Sequence, residues 1–298
     1  MSWRTNDNIK ILGSAVSIGQ PRQGVEKTPS VLQAEKIENL IPIGRVTWVE
    51  TIDQHAYTYE NPRAGPIRNV QDIAKYNKIL YDKILSHLST EDFLLTIGGD
   101  HSIGSATVSA MLKATDGNLG VIWIDAHGDC NTPETSPSGN YHGMPVAHLL
   151  GLLQCPIEFQ WDQPILPVTS IAMIGIRDLD PEEKVLMDKI GIRYYTMEII
   201  HEMGIETVIT EALKYIDPNG TKKIHVSFDV DGLDPELVPG TGTIAPNGLT
   251  LHDYAVIAQK VKLTGDRFAS MDLVEINFDI EKNVTLDSVK EIIRITFQ

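Results

Sequence analysis

Short apolar, β-branched runs recur along the chain, and most are followed by a stretch whose apolar residues repeat at helical spacing. That alternation predicts an α/β fold: parallel strands joined by crossover helices, with the sheet buried on both faces. The strands read as IKILGSAV (9–16), RVTWVET (45–51), FLLTIG (93–98), LGVIWID (119–125), SIAMIGI (170–176), IRYYT (192–196), KIHVSFD (223–229) and FASMDLVE (268–275). Between them, residues 70–89 place Ile73, Tyr76, Leu80 and Ile84 on one helical stripe. Residues 28–40 begin with Thr28 as the expected N-cap and Pro29 at the first helical position. Further stripes predict helices within 181–190, 204–216, 249–262 and 285–295. No repeat, low-complexity tract or Gly/Ser linker interrupts this pattern, so residues 1–298 are expected to form one domain.

The polar clusters fall at matching places in the pattern. GGDH (98–101) follows FLLTI, Asp125 follows VIWI, Asp229 follows IHVSF, and Glu275 follows MDLV. In open α/β sheets ligands bind outside the carboxyl ends of the strands, so these groups are expected to converge there.

Composition narrows the partners. A chain of 298 residues with 42% hydrophobic content can bury a sizeable core. A formal net charge of -15 argues against nucleic acid and favours cationic small molecules. The association of a cation should then weaken as salt rises. Cys130 and Cys155 form neither a disulfide framework nor a thiolate metal site. The charged start suits a first strand better than a signal peptide, and no apolar run approaches the ~20 residues of a membrane helix. A cytoplasmic protein that binds no membrane is the expectation.

The chemistry lies in DAHGD and SFDVDGLDP. In an extended chain, alternate residues point to one side, which would let Asp125, His127 and Asp129 converge. Asp229 and Asp231 repeat the spacing, whereas Asp234, next to Pro235, reads as turn-forming. With His101 the set holds two imidazoles and four carboxyl groups, hard ligands without sulfur, which suit Mn²⁺ better than structural zinc. Six side chains exceed the needs of one tetrahedral ion, and two ions bridged by carboxylates use them naturally. Such a pair activates a shared water, the nucleophile of a hydrolase. Dinuclear phosphoesterases typically add an Asn-His pair, where this chain has GGDHS, and the acidic surroundings better suit a cationic electrophile.

In these residues the chain resembles the ureohydrolase family, and its arginase branch most closely. The motifs are GGDHSIG, IDAHGDCNTPETSPSGNYHGMP and SFDVDGLDPELVPGTGT, with GQPRQGVEKTPSVL before them and DLVEIN after; they span residues 19 to 277. The resemblance implies a three-layer α/β/α sandwich around a central parallel sheet. It implies two Mn²⁺ per subunit, one held by His101, Asp125, Asp129 and Asp229, the other by Asp125, His127, Asp229 and Asp231. A bridging hydroxide would attack the guanidinium carbon of L-arginine to give L-ornithine and urea, with Asp129 carrying a proton to the departing nitrogen. His142 matches the family's proton shuttle, and Glu275 the residue that holds the guanidinium, with Thr243 expected beside it. Asn131, Ser136 and Ser138 would meet the α-carboxylate, with Asn140 shaping the loop, while Asp180 and Glu183 would meet the α-ammonium. His55, His87, His148, His201, His225 and His252 have no comparable context.

Agmatinase is the nearest alternative, since it shares the metals but acts on a guanidine without the α-carboxylate. A metal-binding scaffold without turnover would be expected to have lost a ligand, His142 or Glu275, and all are present. Two departures from the family pattern stand near the site: Ile244, Ala245, Pro246 and Asn247 after GTGT, and Phe278 after EIN. The family also implies a homotrimer, or a hexamer of two trimers.

Overall fold

The computed structural model describes residues 8–54, 66–89, 92–153, 159, 161 and 165–298. Eight parallel strands form one sheet in the order β2-β1-β3-β8-β7-β4-β5-β6. They are β1 (Asn8–Ala15), β2 (Arg45–Asp53), β3 (Phe93–Ile97), β4 (Leu119–Ile124), β5 (Ile171–Ile176), β6 (Arg193–Thr196), β7 (Lys223–Asp229) and β8 (Phe268–Val274). All eight runs read from the sequence are strands, and the sheet is parallel throughout as expected.

Successive side chains on a strand face opposite ways, and the two hydrophobic cores follow from that. Ile122 and Ile124 of β4 and Ala172 and Ile174 of β5 enter one core. Val121 and Trp123, with Ile171 and Met173, enter the other. The first core is covered by α1 (Thr28–Ala34), α6 (Met197–Met203), α7 (Ile205–Ile216), α8 (Leu251–Lys262) and α9 (Asn283–Phe297). The second is covered by α2 (Val70–His87), α3 (Gly104–Ala114), α4 (Pro145–Leu149) and α5 (Pro181–Ile190). This is the three-layer α/β/α sandwich.

Helix α2 buries the expected stripe of Ile73, Tyr76, Leu80 and Ile84. Thr28 differs from expectation: it is the first residue of α1, with Lys27 at the N-cap. Its hydroxyl instead donates to the Ile276 carbonyl at 2.6 Å, tying α1 to the segment after β8. Helix α3 was not legible as an amphipathic stripe because Gly104 to Leu112 are all buried. Helices α4 and α6 are too short to show a period.

The chain builds the half containing β2, β1 and β3, then crosses to β4, leaving two positions that β7 and β8 fill last. The carboxyl ends of β3, β8, β7 and β4 therefore meet where the winding changes direction, the position at which open α/β sheets bind ligands. Among the described residues no helix is long and apolar enough to cross a membrane.

Candidate metal centre and cleft

After β3, the double glycine turns the chain beneath the end of β1. A Cβ on Gly99 would stand 1.7 Å from the Val16 carbonyl oxygen, so only glycine fits. Asp100 then anchors the turn, accepting from Gly19 N at 2.8 Å and Ser102 N at 3.0 Å, and His101 opens a helical turn at the carboxyl end of the sheet. The His101 ring stacks on Trp123, and its Nε2 lies 2.9 Å from Ser227 Oγ on β7. With that nitrogen occupied, Nδ1 faces three carboxylates: Asp129 Oδ2 at 2.9 Å, Asp125 Oδ2 at 3.1 Å and Asp229 Oδ2 at 3.2 Å.

The residues of DAHGD converge, but not as an extended strand. β4 ends at Ile124, Asp125 Oδ1 accepts from His127 N at 2.7 Å, and Asp129 adopts φ 47°. A left-handed conformation is strained for a non-glycine residue, as is the φ of 63° at Glu275. The turn brings Asp129 to His101 and sends His127 towards Asp231, whose Oδ2 lies 3.2 Å from its Nδ1.

Two groups suited to a cation result: His101, Asp125 and Asp229, and Asp125, His127 and Asp231, each with its ligand atoms within 4.8 Å of one another. Asp125 is common to both. Asp229 joins the first through Oδ2, while its Oδ1 accepts from Asp231 N at 2.9 Å. The residues fit a metal on two counts. His101 Nδ1 and Asp129 Oδ2 are buried without a hydrogen-bond partner among the described residues. Burial, with the charges of Asp231 and Asp125, drives the Asp229 carboxyl well above its ordinary pKa, and burial with Asp125 raises Asp129 to about 6. Carboxyls crowded beyond their capacity to ionise are what a cation compensates.

Above this floor lies a cleft of about 160 Å³, lined by His127, Asp129, Asn131, Ser136, Ser138, Asn140, His142, Gly143, Asp178, Asp180, Glu183, Asp229 and Thr243. Asn131 is not a free donor: its Nδ2 donates to Asp180 Oδ2 at 3.0 Å and its Oδ1 accepts from Thr135. Ser136 and Ser138 accept from the backbone N–H groups of Gly139 and Asn140, and their hydroxyls lie 3.4 Å apart, so one can donate to the other while the second keeps its proton for an acceptor in the cleft. Asp180 and Glu183 form a capping box on α5, so the helix-opening role is real. Glu183 also accepts from Cys130 N at 2.8 Å, and burial lifts its pKa to about 8.

Glu275 is buried at the end of β8. Its Oε1 accepts from His101 N at 2.9 Å and lies 3.2 Å from His142 Nδ1; its Oε2 accepts from Gln20 Nε2 at 2.6 Å. Burial opposes its ionisation, but His142 and the His101 N–H outweigh that and lower its pKa. The Thr243 hydroxyl donates to Asp231 Oδ2 at 2.9 Å. Asp234 is a turn former, accepting from Glu236 N and Gly248 N.

Sequence reasoning passed over Asp100, Gln20, Asp178, Arg177 and Trp123. Asp178 Oδ2 lies 3.6 Å from His127 Nε2, and Trp123 Nε1 donates to Asp125 Oδ2 at 3.0 Å. Each sits in or beside a quoted motif, but nothing in spacing alone separates such supports from their neighbours. His225, left without a role, is buried between Ser270 and Asp272, and His148 beside Tyr141. Cys130 is buried with a free thiol, whereas Cys155 and His55 lie outside the described residues.

Comparison with known proteins agrees with this arrangement. The Arginase family matches residues 7–297. An arginase of Plasmodium berghei is 41% identical over 295 residues, covering 91% of this chain and 83% of that protein. Arginase-1 of Homo sapiens is 36% identical over 283 residues, covering 92% and 86%. The crystal structure of an Entamoeba histolytica arginase in complex with L-ornithine superimposes with a TM-score of 0.88 at 33% identity, covering 98% of this chain and 99% of that one.

Proposed function

The chain belongs to the arginase family, and from that premise we propose that it hydrolyses L-arginine to L-ornithine and urea with two Mn²⁺ per subunit. The observation that carries this reading is the pair of His–carboxylate groups sharing Asp125 on the floor of a polar cleft. His101, Asp125, Asp129 and Asp229 would hold one ion, and Asp125, His127, Asp229 and Asp231 the other. Bound there, the ions would lower the pKa of water in the cleft and so supply the nucleophile near neutral pH.

The protein's own side chains supply the rest. The pKa of Glu275 is lowered, and among the described residues Oε2 accepts only from Gln20, so it can receive a guanidinium N–H in a charge-assisted bond. Asp129 Oδ2 lies 2.9 Å from His101 Nδ1 but has no hydrogen-bond partner among the described residues, and its carboxyl has a pKa raised to about 6, which suits it to take a proton and return it to the departing nitrogen. His142 has Nδ1 held by Glu275, which leaves Nε2 to exchange protons with solvent at the cleft. Ser136 and Ser138 receive the α-carboxylate and Asp180 the α-ammonium. Asn131 contributes by fixing Asp180, and Glu183 by fixing the loop at Cys130. Thr243 orients Asp231.

Agmatine would reach the same metals, but the neutral hydroxyls of Ser136 and Ser138 would lose the anion they face. Fully buried donors left unpaired discriminate by ~10⁴-fold, but Ser136 is half-buried and Ser138 exposed, so water can replace the lost anion and a smaller preference for arginine is expected. The reading takes residues 1–298 as one catalytic unit in the cytosol, a homotrimer or a hexamer of two trimers, in keeping with the family. The test is urea release from arginine and agmatine, side by side, after reconstitution with Mn²⁺. Preference for arginine is expected; comparable turnover of both would remove the substrate assignment, and no urea from either would remove the activity.

A further inference from the structure

Arg177 follows β5 at the back of the cleft, and its guanidinium is engaged entirely by backbone carbonyls. Nε donates to Ala245 O at 3.2 Å and Pro246 O at 3.1 Å; Nη1 to Gly175 O at 3.0 Å and Gly232 O at 3.2 Å. Nη2 donates to Asp231 O at 2.6 Å, Leu233 O at 3.1 Å and Ala245 O at 2.8 Å. Among the described residues it forms no ion pair with a carboxylate, although Asp231, Asp125, Asp234 and Asp229 all act on its charge. Six carbonyl dipoles aimed at one point repel one another, and a planar fork of five donors is what can satisfy them together.

The acceptors are not scattered through the fold. Apart from Gly175 O on β5, they lie in the ligand loop at Asp231 to Leu233 and in the turn at Ala245 and Pro246, where the sequence departs from the family pattern just after Thr243. The backbone beside the guanidinium ties in the other ligand loop: Arg177 N and Asp178 N donate to Ala126 O at 2.8 and 3.0 Å. Ala126 N in turn donates to Asp231 Oδ1 at 3.2 Å, while Thr243 donates to Oδ2 of the same carboxylate. Both oxygens of Asp231 are thus aimed by segments that Arg177 fastens.

We propose that Arg177 is a positioning residue that locks the Asp231 loop and the Thr243 turn against the Asp125–His127 loop, so that cation binding at Asp125, His127 and Asp231 depends on it while binding at His101, Asp125 and Asp229 does not. The asymmetry follows from the attachments: His101 is held by Ser227, Trp123 and Glu275, none of which touches Arg177. Lysine cannot substitute, because three donors on a point charge cannot serve six carbonyls.

This inference rests on the two-ion reading above, and the test separates the two. Full-length wild type, Arg177→Lys and Arg177→Gln are stripped by chelation and titrated with Mn²⁺ alone, with site occupancy followed by electron paramagnetic resonance and bound metal counted after gel filtration. Wild type should take two ions. In Arg177→Gln the first should bind within about threefold of wild type, while the second weakens by about 10–100-fold, the usual effect of losing an outer-shell support. Arg177→Lys should fall near Arg177→Gln rather than near wild type, and KM for arginine should rise more than kcat falls at saturating Mn²⁺. Two ions held with unchanged affinity by both variants would overturn the assignment of Arg177 alone. Equal weakening of both ions, or variants that do not fold, would overturn it too, since the effect would not be confined to the cleft. A wild type that takes fewer than two ions would remove the two-ion reading itself and this inference with it.

Discussion

Trp123 and His101 lie ring on ring, with centroids 4.1 Å apart and planes 12° from parallel, while the Trp123 indole nitrogen donates to Asp125 Oδ2 at 3.0 Å. One buried side chain thus orients two ligands from different strand ends. The sequence makes room for it at Gly104, where a Cβ would stand 2.7 Å from the indole.

Trp123→Phe keeps most of the stacking surface and removes the indole donor. Mn²⁺ affinity is expected to fall by about tenfold, with a smaller loss of global stability. Trp123→Ala adds a cavity and should cost about 3–5 kcal/mol. Denaturant unfolding of both variants beside a Mn²⁺ titration checks the separation. If Trp123→Phe matches wild type in metal affinity, the indole bond to Asp125 has no orienting role.

Removing the metal should destabilise the fold as well as abolish turnover, because the carboxylates of Asp125, Asp129, Asp229 and Asp231 crowd one another without a cation. Each ion bound only by the folded state contributes about 2.7 kcal/mol at a free concentration one hundred times its dissociation constant. The melting temperature of the chelated protein should climb as Mn²⁺ is added back, and urea release should return with it. Full turnover after exhaustive chelation would exclude metal-dependent hydrolysis.

Glu275→Gln preserves shape and removes the charge that, on the proposed reading, would receive the guanidinium. A hydrogen bond to a charged group is worth about 1.5–3 kcal/mol, so kcat/KM should fall by roughly 10- to 150-fold. Steady-state kinetics measure it. The substitution also leaves His142 Nδ1 without its anionic partner, so the raised pKa of His142 should relax downwards. An imidazole resonance that titrates at the same pH in both proteins would contradict the pairing.

Far from the cleft, Lys10 Nζ lies 2.6 Å from Asp92 Oδ2. Burial works against the Asp92 carboxylate, but its bonds to Lys10 and Ser89 outweigh that and lower its pKa. A carboxyl held lower in the folded state contributes stability that is complete above its unfolded value near ~3.9 and vanishes as pH falls through the folded value. Asp92→Asn should therefore cost about 1–3 kcal/mol at pH 7, with the gap to wild type closing under acid. Urea melts at both pH values measure the gap; a constant difference would mean that charge is not the cause.

Much of this was legible beforehand. Alternating apolar residues on β4 and β5 fixed which side chains enter each core, so the sheet and its two covered faces could be read directly. The kinds of polar group gathered beside the sheet were legible for a related reason: a polar group placed just after a buried strand has one exit, the carboxyl end of the sheet. Helix α3 escaped detection because burial on every side leaves no stripe, and the N-cap role expected of Thr28 failed because a distant carbonyl, Ile276 O, claimed its hydroxyl.

What the chain determined by itself is therefore local: strand and helix periods and the kinds of side chain delivered to each strand end. Only the tertiary structure decided which of those groups meet. The strand order sets β3, β8, β7 and β4 side by side, and the turn at Asp129 aims its carboxylate at His101. Supports such as Gln20 on Glu275 and Arg177 on the Asp231 loop act across 255 and 54 positions of sequence. Such long-range hydrogen bonds follow from packing geometry rather than residue spacing, so no local pattern encodes them.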